Sequence, residues 1–301
     1  MQKYEDKAIN PGSLFCFGLG YTGQHLANKL YDLGWQVTGT SQTAGTLRYI
    51  DNRNIQSFPF SGKEPVDNPK LLPRTVTHLI SCIPPNESGD PAIIHHTKNI
   101  IEAKNIRWVG YLSTTGVYGN RDGKWVDETD TPKPGNIRSQ NRLSAERSWL
   151  SLWEQYEVPV HVFRLAGIYG PDRNVLSNIK QGNARRIDKP NHLFSRIHVD
   201  DIVQTLFSSM CNPKPGSIYN VCDDEAAAPS DVIEYGCSLL QIKAPPLQPF
   251  NAKQLSPMAR TFWLENRLVR NARIKNELGI ELRYPNYRKG LLALHKRSLN
   301  K

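Results

Sequence analysis

The first sharp contrast along the chain is a run of four apolar residues at 14–17. A polar, proline-containing start precedes it, and glycines at 18, 20 and 23 follow it. A short apolar run bounded by glycine predicts a buried strand. Leu26, Leu30 and Leu33 then recur at helical spacing up to Gly34, which predicts a helix over 22–33. Residues 35–40 read as a second strand, 41–75 as loop with a short strand at 55–58, and 77–83 as a strand that stops at Pro84-Pro85. Helical periodicity returns at 92–103 and 138–155, with strands at 108–113 and 158–165. Strands alternating with helices over 150 residues predict an α/β fold, a doubly wound parallel sheet with helices on both faces.

After residue 166 the pattern is irregular. Residues 218–222 form one more strand, and 229–242 and 261–278 read as helices, the latter amphipathic. The expected division is a domain over 12–170, to which the later strand at 218–222 returns, and a smaller lobe over 171–301. The chain's 301 residues suit two such domains.

Charge changes the picture in one place. The net charge is +10, but residues 257–301 carry eleven Lys or Arg against three Glu. A basic lobe suits an anionic small substrate. Nucleic acid is the weaker reading, because no stacking array of aromatics accompanies the cations. No stretch approaches 18 uninterrupted apolar residues, so no membrane span is expected, and the polar start lacks the apolar core of a secretory signal. Five scattered cysteines without a C-x-x-C pair point to free thiols in a reducing, cytoplasmic setting and to no metal site.

The candidate chemistry begins at Gly18-Leu19-Gly20-Tyr21-Thr22-Gly23. G-x-G-x-x-G between a strand and a helix is the context in which glycines let a dinucleotide's diphosphate approach the backbone and the helix N-terminus. An NAD site wants a carboxylate at the end of the second strand. Here that strand ends in Thr40 and Ser41, and no acid falls between Asp32 and Asp51. Thr40, Ser41 and Arg48 are candidates for a 2′-phosphate, which favours NADP(H) with NAD(H) as runner-up. The alternative for Arg48 is a solvated loop cation.

Several segments in shared order carry a family resemblance: FCFGLGYTG, SCIPP (81–85), YLSTTGVYG (111–119), VDETD, VFRLAGIYGP (162–171), FSRIHVDDI and YNVCDDE. Together they resemble the extended short-chain dehydrogenases/reductases of the NAD-dependent epimerase/dehydratase superfamily, and within it an atypical branch. The resemblance implies a Rossmann domain for NAD(P), a smaller substrate lobe, and redox, epimerase or dehydratase chemistry on sugars carried by nucleotides. It implies a homodimer, as is common in the family. It places Cys82, Ile83, Pro84 and Ser113 at the cofactor, Thr115 and Tyr169 at the substrate, and Thr114 at the family's catalytic Ser/Thr; Arg138 is, by its own chemistry, a candidate to bind a carboxylate or phosphate of the substrate. His198 and Asp201 match a pattern that organises the sheet and lobe.

The family's chemistry also runs on a Tyr and a Lys four residues apart on a helix. Here the matching positions hold Arg138 and Arg142, and none of the twelve tyrosines is followed by Lys four residues on. Arg142 is a candidate for the ribose-holding and charge-supplying part of the Lys role. Arg hardly gives up a proton, so neither Arg replaces the acid. The alternative is that Arg138, Arg142 and Glu146 form ion pairs along a solvated helix face. Tyr118 is a substitute-acid candidate. His95-His96 reads as helix surface. Two functional readings stay open: an NAD(P)-dependent enzyme with an altered acid–base set, and a non-catalytic NADP(H)-binding sensor or scaffold.

Overall fold

The computed structural model describes residues 10–42, 53, 55–66, 72 and 74–299. In chain order the elements are β1 (Ser13–Phe17), α1 (Tyr21–Asp32), β2 (Gln36–Ser41), β3 (Gln56–Pro59), β4 (His78–Ser81), α2 (Pro91–Glu102), β5 (Trp108–Thr114), β6 (Trp125–Val126), α3 (Ile137–Tyr156), β7 (Val160–Leu165) and β8 (Gly167–Tyr169). There follow α4 (Val175–Lys180), β9 (Arg186–Asp188), β10 (Arg196–His198), α5 (Val199–Cys211), β11 (Ile218–Val221), α6 (Pro229–Leu240), β12 (Leu247–Pro249), α7 (Pro257–Leu264), β13 (Leu268–Val269), α8 (Ala272–Leu278) and α9 (Tyr287–Leu299).

The central sheet has seven strands in the order β11-β7-β5-β4-β1-β2-β3. The β1–β2, β2–β3, β1–β4 and β4–β5 pairs are parallel, with Phe15 opposite Thr38 on one side and Leu79 on the other. The chain builds outward from β1 to β3, then crosses back to β4. The strand order therefore reverses at β1/β4, which is where open α/β sheets bind ligands. The expected α/β, doubly wound class is the one observed.

The chain forms two compact, interleaved units. Unit 1 comprises residues up to Thr114, Gln140–Arg164 and Val203–Tyr219; unit 2 comprises Thr115–Ser139, Leu165–Ile202 and Asn220 onward. The core of unit 1 packs Phe15, Phe17, Val109, Tyr111, Trp149, Leu152 and Val162. Polar side chains inside it are paired at two places. The Trp108 indole N–H donates to Ser209 Oγ (3.0 Å), and His161 bonds the Val109 carbonyl while accepting the Lys214 N–H. His96, expected on a helix surface, is buried instead: it stacks on Phe17 and accepts the Val66 N–H (3.2 Å).

The core of unit 2 packs Tyr169, Leu176, Val232, Tyr287 and Leu291. Three two-stranded parallel ladders, β8–β10, β9–β12 and β6–β13, tie its short elements together. The helix expected over 261–278 is broken into α7, β13 and α8. The Leu268 and Arg270 N–H groups donate to the Lys124 and Val126 carbonyls, so pairing with β6 pulls the middle of the segment into strand. Many of the C-terminal cations are matched within the unit: Arg267 by Glu265, Arg273 by Glu277, Lys275 by Asp224, Arg283 by Asp200 and Arg288 by Glu225. Among the described residues no helix is long and apolar enough to cross a membrane.

Candidate functional site

The glycine loop leaves β1 at the reversal point of the sheet. Gly18 takes a positive φ of 88°, and a Cβ there would press 2.9 Å from the Ile83 side chain. A Cβ on Gly23 would meet the Gly18 carbonyl at 2.7 Å, so this glycine sets how closely α1 approaches the strand. Gly20 differs. Its backbone is extended (φ −81°, ψ −161°), and a Cβ would have nothing within 4 Å. It is the N-cap of α1, with no side chain capping the helix and no acidic residue in the first turn. The first helical bond runs from Gln24 N–H to the Gly20 carbonyl (2.9 Å). An open, uncapped, twelve-residue helix N-terminus behind a glycine turn is a fit for a dinucleotide's diphosphate.

Leu19 is buried and its N–H donates to the Thr40 carbonyl, while the Gln24 amide returns to the Leu19 carbonyl. Thr22 is buried in the first turn and Tyr21 half-buried beside it. Thr40, named as a phosphate contact, is 1% exposed, and its hydroxyl accepts the Gly18 N–H at 2.9 Å. That hydroxyl braces the loop from the neighbouring strand. Ser41 is also buried, lies 3.5 Å from Ser57 Oγ, and its carbonyl receives the Phe60 N–H. Arg48 lies outside the described residues. On the other side of the loop, Cys82 N–H donates to the Phe17 carbonyl, with Ile83 half-buried and Pro84 exposed behind it.

The C-terminal end of β5 carries the next group. Ser113 is buried and donates its hydroxyl to Glu146 Oε1 on α3. Glu146 in turn takes a bidentate grip on Arg164 of β7, with Nη2 to Oε2 at 2.8 Å and Nε to Oε1 at 3.1 Å. Both ionic side chains are almost wholly buried. Glu146 is therefore not part of a solvated ion-pair face, as one sequence alternative had it; it locks α3 to two strands. One turn earlier, Arg142 donates to the Leu112 carbonyl (2.7 Å) and reaches the Tyr111 hydroxyl (3.4 Å). Thr114 is half-buried at the end of the strand. Asp90 caps α2 through the Ala92 and Ile93 N–H groups and accepts the Trp149 indole; burial raises its pKa against these bonds.

In unit 2, Thr115 is buried in a single 3-10 turn that ends at Tyr118. Tyr118 is fully buried and donates its hydroxyl to Asn220 Oδ1 (2.8 Å), while the Asn220 N–H goes to Glu128 Oε1. Arg138 is exposed at the start of α3. Tyr169 packs against Gly290, where any Cβ would meet its hydroxyl at 2.1 Å, and stands edge-on to His198. Asp201 accepts the Arg283 and Tyr284 N–H groups. Among the described residues no three His, Cys, Asp or Glu side chains gather as a metal would need.

Asp223, a residue without a motif of its own, is buried with both carboxylate oxygens lacking a well-formed hydrogen bond. Burial raises its pKa to about 8, against the pull of Arg196 and the Glu225 N–H. The folded chain thus holds a proton there that the unfolded chain releases. Stability from this group is full below the ordinary carboxylate value and is lost as pH climbs toward about 8. Asp223→Asn keeps the shape and has no charge to desolvate. Thermal melts at pH 5 and pH 8 are expected to show a smaller fall in Tm for the variant than for the wild type. Parallel falls would mean that Asp223 ionises without cost.

Comparison with known proteins fits this architecture. The family model described as the NAD dependent epimerase/dehydratase family matches residues 18–222. The solved structure of a functionally unknown conserved protein from Silicibacter pomeroyi DSS is 46% identical, covers 95% of this chain and 99% of its own, and superposes with a TM-score of 0.87. Protein YeeZ of Escherichia coli K12 is 27% identical over 281 residues, 89% of this chain and 94% of YeeZ. The NAD complex of dTDP-glucose 4,6-dehydratase from Bacillus anthracis shares the fold, with a TM-score of 0.76 at 16% identity, covering 97% of each chain. The match over more than two-thirds of the chain, including the glycine loop and β5, makes this protein a member of the NAD-dependent epimerase/dehydratase family.

Proposed function

We propose that the protein binds NADP(H), with NAD(H) as runner-up, on the Gly18–Gly23 loop and acts on a nucleotide-sugar or similar anionic small substrate. The observation that carries this reading is the open N-terminus of α1 at Gly20, where a Cβ would find no atom within 4 Å and no side chain caps the helix. When bound, the cofactor supplies hydride transfer. The chain's own residues supply the rest. The loop and the α1 dipole hold the diphosphate. The stretch 81–84 lines the neighbouring edge, and Ser113 is fixed by Glu146. Arg142 stands one turn from Glu146 on α3 with one nitrogen on the Leu112 carbonyl, leaving the rest of its fork for ribose hydroxyls. Thr114, at the end of β5, orients the reacting oxygen; the proton comes from its hydroxyl, a water or the substrate. The absence of a carboxylate at the end of β2 removes a repulsion that a 2′-phosphate would meet. That absence, rather than Thr40, carries the NADP preference, because the Thr40 hydroxyl is committed to Gly18.

A second reading, a cofactor-binding sensor or scaffold in the cytoplasm, draws support from the catalytic helix. The Tyr position is an exposed Arg138, and the Tyr118 hydroxyl is spent on Asn220. One pair of measurements separates the two. Fluorescence titration is expected to give saturable binding of NADPH, tighter than NADH. Incubation of the loaded protein with a nucleotide-sugar panel in deuterated water is expected to place deuterium on one substrate. Binding without exchange or turnover across the panel would leave the sensor reading; no binding of either cofactor would sink both.

A further inference from the structure

Two thiols lie directly beneath the glycine loop. Cys16 is the fourth residue of β1, and Cys82 follows the last residue of β4; the two strands are hydrogen-bonded neighbours. Their sulfurs are 3.9 Å apart. Cys16 Sγ also lies 3.5 Å from the Gly18 carbonyl, the first carbonyl of the loop. The same sulfur is 3.0 Å from where a Gly23 Cβ would stand. Cys16 is thus the floor on which both ends of the glycine turn rest. Cys82 is half-buried and joined through its N–H to the Phe17 carbonyl; Cys16 is fully enclosed.

We propose that Cys16 and Cys82 are a thiol–disulfide switch that closes under oxidising conditions and disables the dinucleotide loop above it. The second half of this inference rests on the cofactor reading of that loop; the first half does not. The oxidant is a low-molecular-weight disulfide of the glutathione class. Cys82, the more accessible thiol, attacks it as thiolate, forms a mixed disulfide and releases one glutathione thiolate. Cys16 then attacks Cys82 Sγ, and the second glutathione leaves as thiol with the Cys16 proton. Two protein thiols are oxidised, one glutathione disulfide is reduced to two thiols, and the bond returns by the reverse exchange. The roles follow from the surroundings. The contact with Cys82 and complete burial hold the Cys16 thiol protonated, unfit to react first with a solution oxidant but placed to resolve the mixed disulfide.

The mechanical consequence is local. A disulfide needs sulfurs about 2.05 Å apart. Closing from 3.9 Å must move Cys16 Sγ, Cys82 Sγ or both, and Cys16 Sγ is the atom that lies 3.5 Å from the Gly18 carbonyl. The turn is set closely around the moving sulfur: a Cβ at Gly23 would stand 3.0 Å from Cys16 Sγ and 2.7 Å from the Gly18 carbonyl. Displacing the sulfur under the turn is expected to shift the loop, and the N–H groups at the head of α1 with it.

The test uses the full chain, treated with glutathione disulfide or left reduced. Expected are the loss of two titratable thiols, a peptide linking residues 16 and 82 after digestion, and NADPH affinity weakened about tenfold or more, all reversed by dithiothreitol. In Cys16→Ser the affinity, whatever its reduced value, does not respond to the oxidant. Persistence of both thiols in oxidised wild-type protein would overturn the proposal, and so would a formed 16–82 bond with unchanged affinity. Reduced protein that binds no dinucleotide would count against the cofactor reading instead, and the peptide map would still report whether the bond forms.

Discussion

Replacing Glu146 by alanine is expected to destabilise unit 1 by about 3–5 kcal/mol, because the change strands a buried guanidinium. Glu146 is 1% exposed and Arg164 2%. The carboxylate accepts from both Nε and Nη2 of Arg164 and from the Ser113 hydroxyl, so a single truncation strips a charge of its bidentate counter-ion and a buried hydroxyl of its acceptor. The pair is not itself a large source of stability, since two ions were taken out of water to make it; its removal is costly because only one of them goes. Hence the double change Glu146→Leu with Arg164→Met is expected to recover most of the loss. Arg138→Ala, at an exposed position of the same helix, is expected to move stability by no more than about 0.5 kcal/mol. Urea midpoints followed by far-ultraviolet circular dichroism measure all three. A Glu146→Ala variant within about 1 kcal/mol of wild type would mean that Arg164 is compensated without Glu146, by water or by another acceptor.

Where apolar periodicity was strong, the sequence already showed the elements. β1, α1, α2, β5, α3 and β7 lie within two residues of their expected bounds, because each buries a continuous stripe or a whole strand. The same cue failed where tertiary pairing overrode it. Leu264, Leu268 and Val269 sit at helical spacing, yet β6 captures Leu268–Val269 as strand and the helix breaks around it. α4, α5 and α9 lie where the sequence pattern predicts no helix. Val199, Ile202, Val203, Leu206 and Met210 do form an apolar face on α5, but His198 and Asp201, at its start, match a family pattern that says nothing of a helix. The loop could be read because a glycine's reason is local: a positive φ at Gly18, a close approach at Gly23. The partners of Thr40, Glu146 and Tyr118 could not. Their hydroxyls and carboxylate are committed to Gly18, Arg164 and Asn220, residues 18 to 102 positions away, and residue type alone does not distinguish a brace from a ligand contact.

Gly20→Asp is expected to weaken NADPH binding on the order of a hundredfold or more, about 2.7 kcal/mol, with no change in the fold. The loop's glycines are not equivalent, and this is what makes the variant informative. Alanine at Gly18 would be strained by the positive φ and crowded by Ile83; at Gly23 it would strike the Gly18 carbonyl; at Gly39, on β2, it would stand 2.4 Å from the Cys16 carbonyl. Loss of binding in any of these would be confounded with loss of structure. Gly20 has an ordinary extended backbone and empty space where a Cβ would go, so the free protein accepts the side chain and only an occupant of that space objects. Gly20→Ala tests the volume alone and is expected to lose less. Aspartate adds a negative charge where a diphosphate would sit, and its carboxylate can cap α1 in place of the phosphate oxygens. The melting temperature should therefore hold or rise while affinity falls, an opposite movement that general damage to the fold cannot produce. Wild-type affinity in a folded Gly20→Asp protein would put the diphosphate somewhere other than the α1 N-terminus, and the cofactor reading of this chain would lose the observation on which it stands.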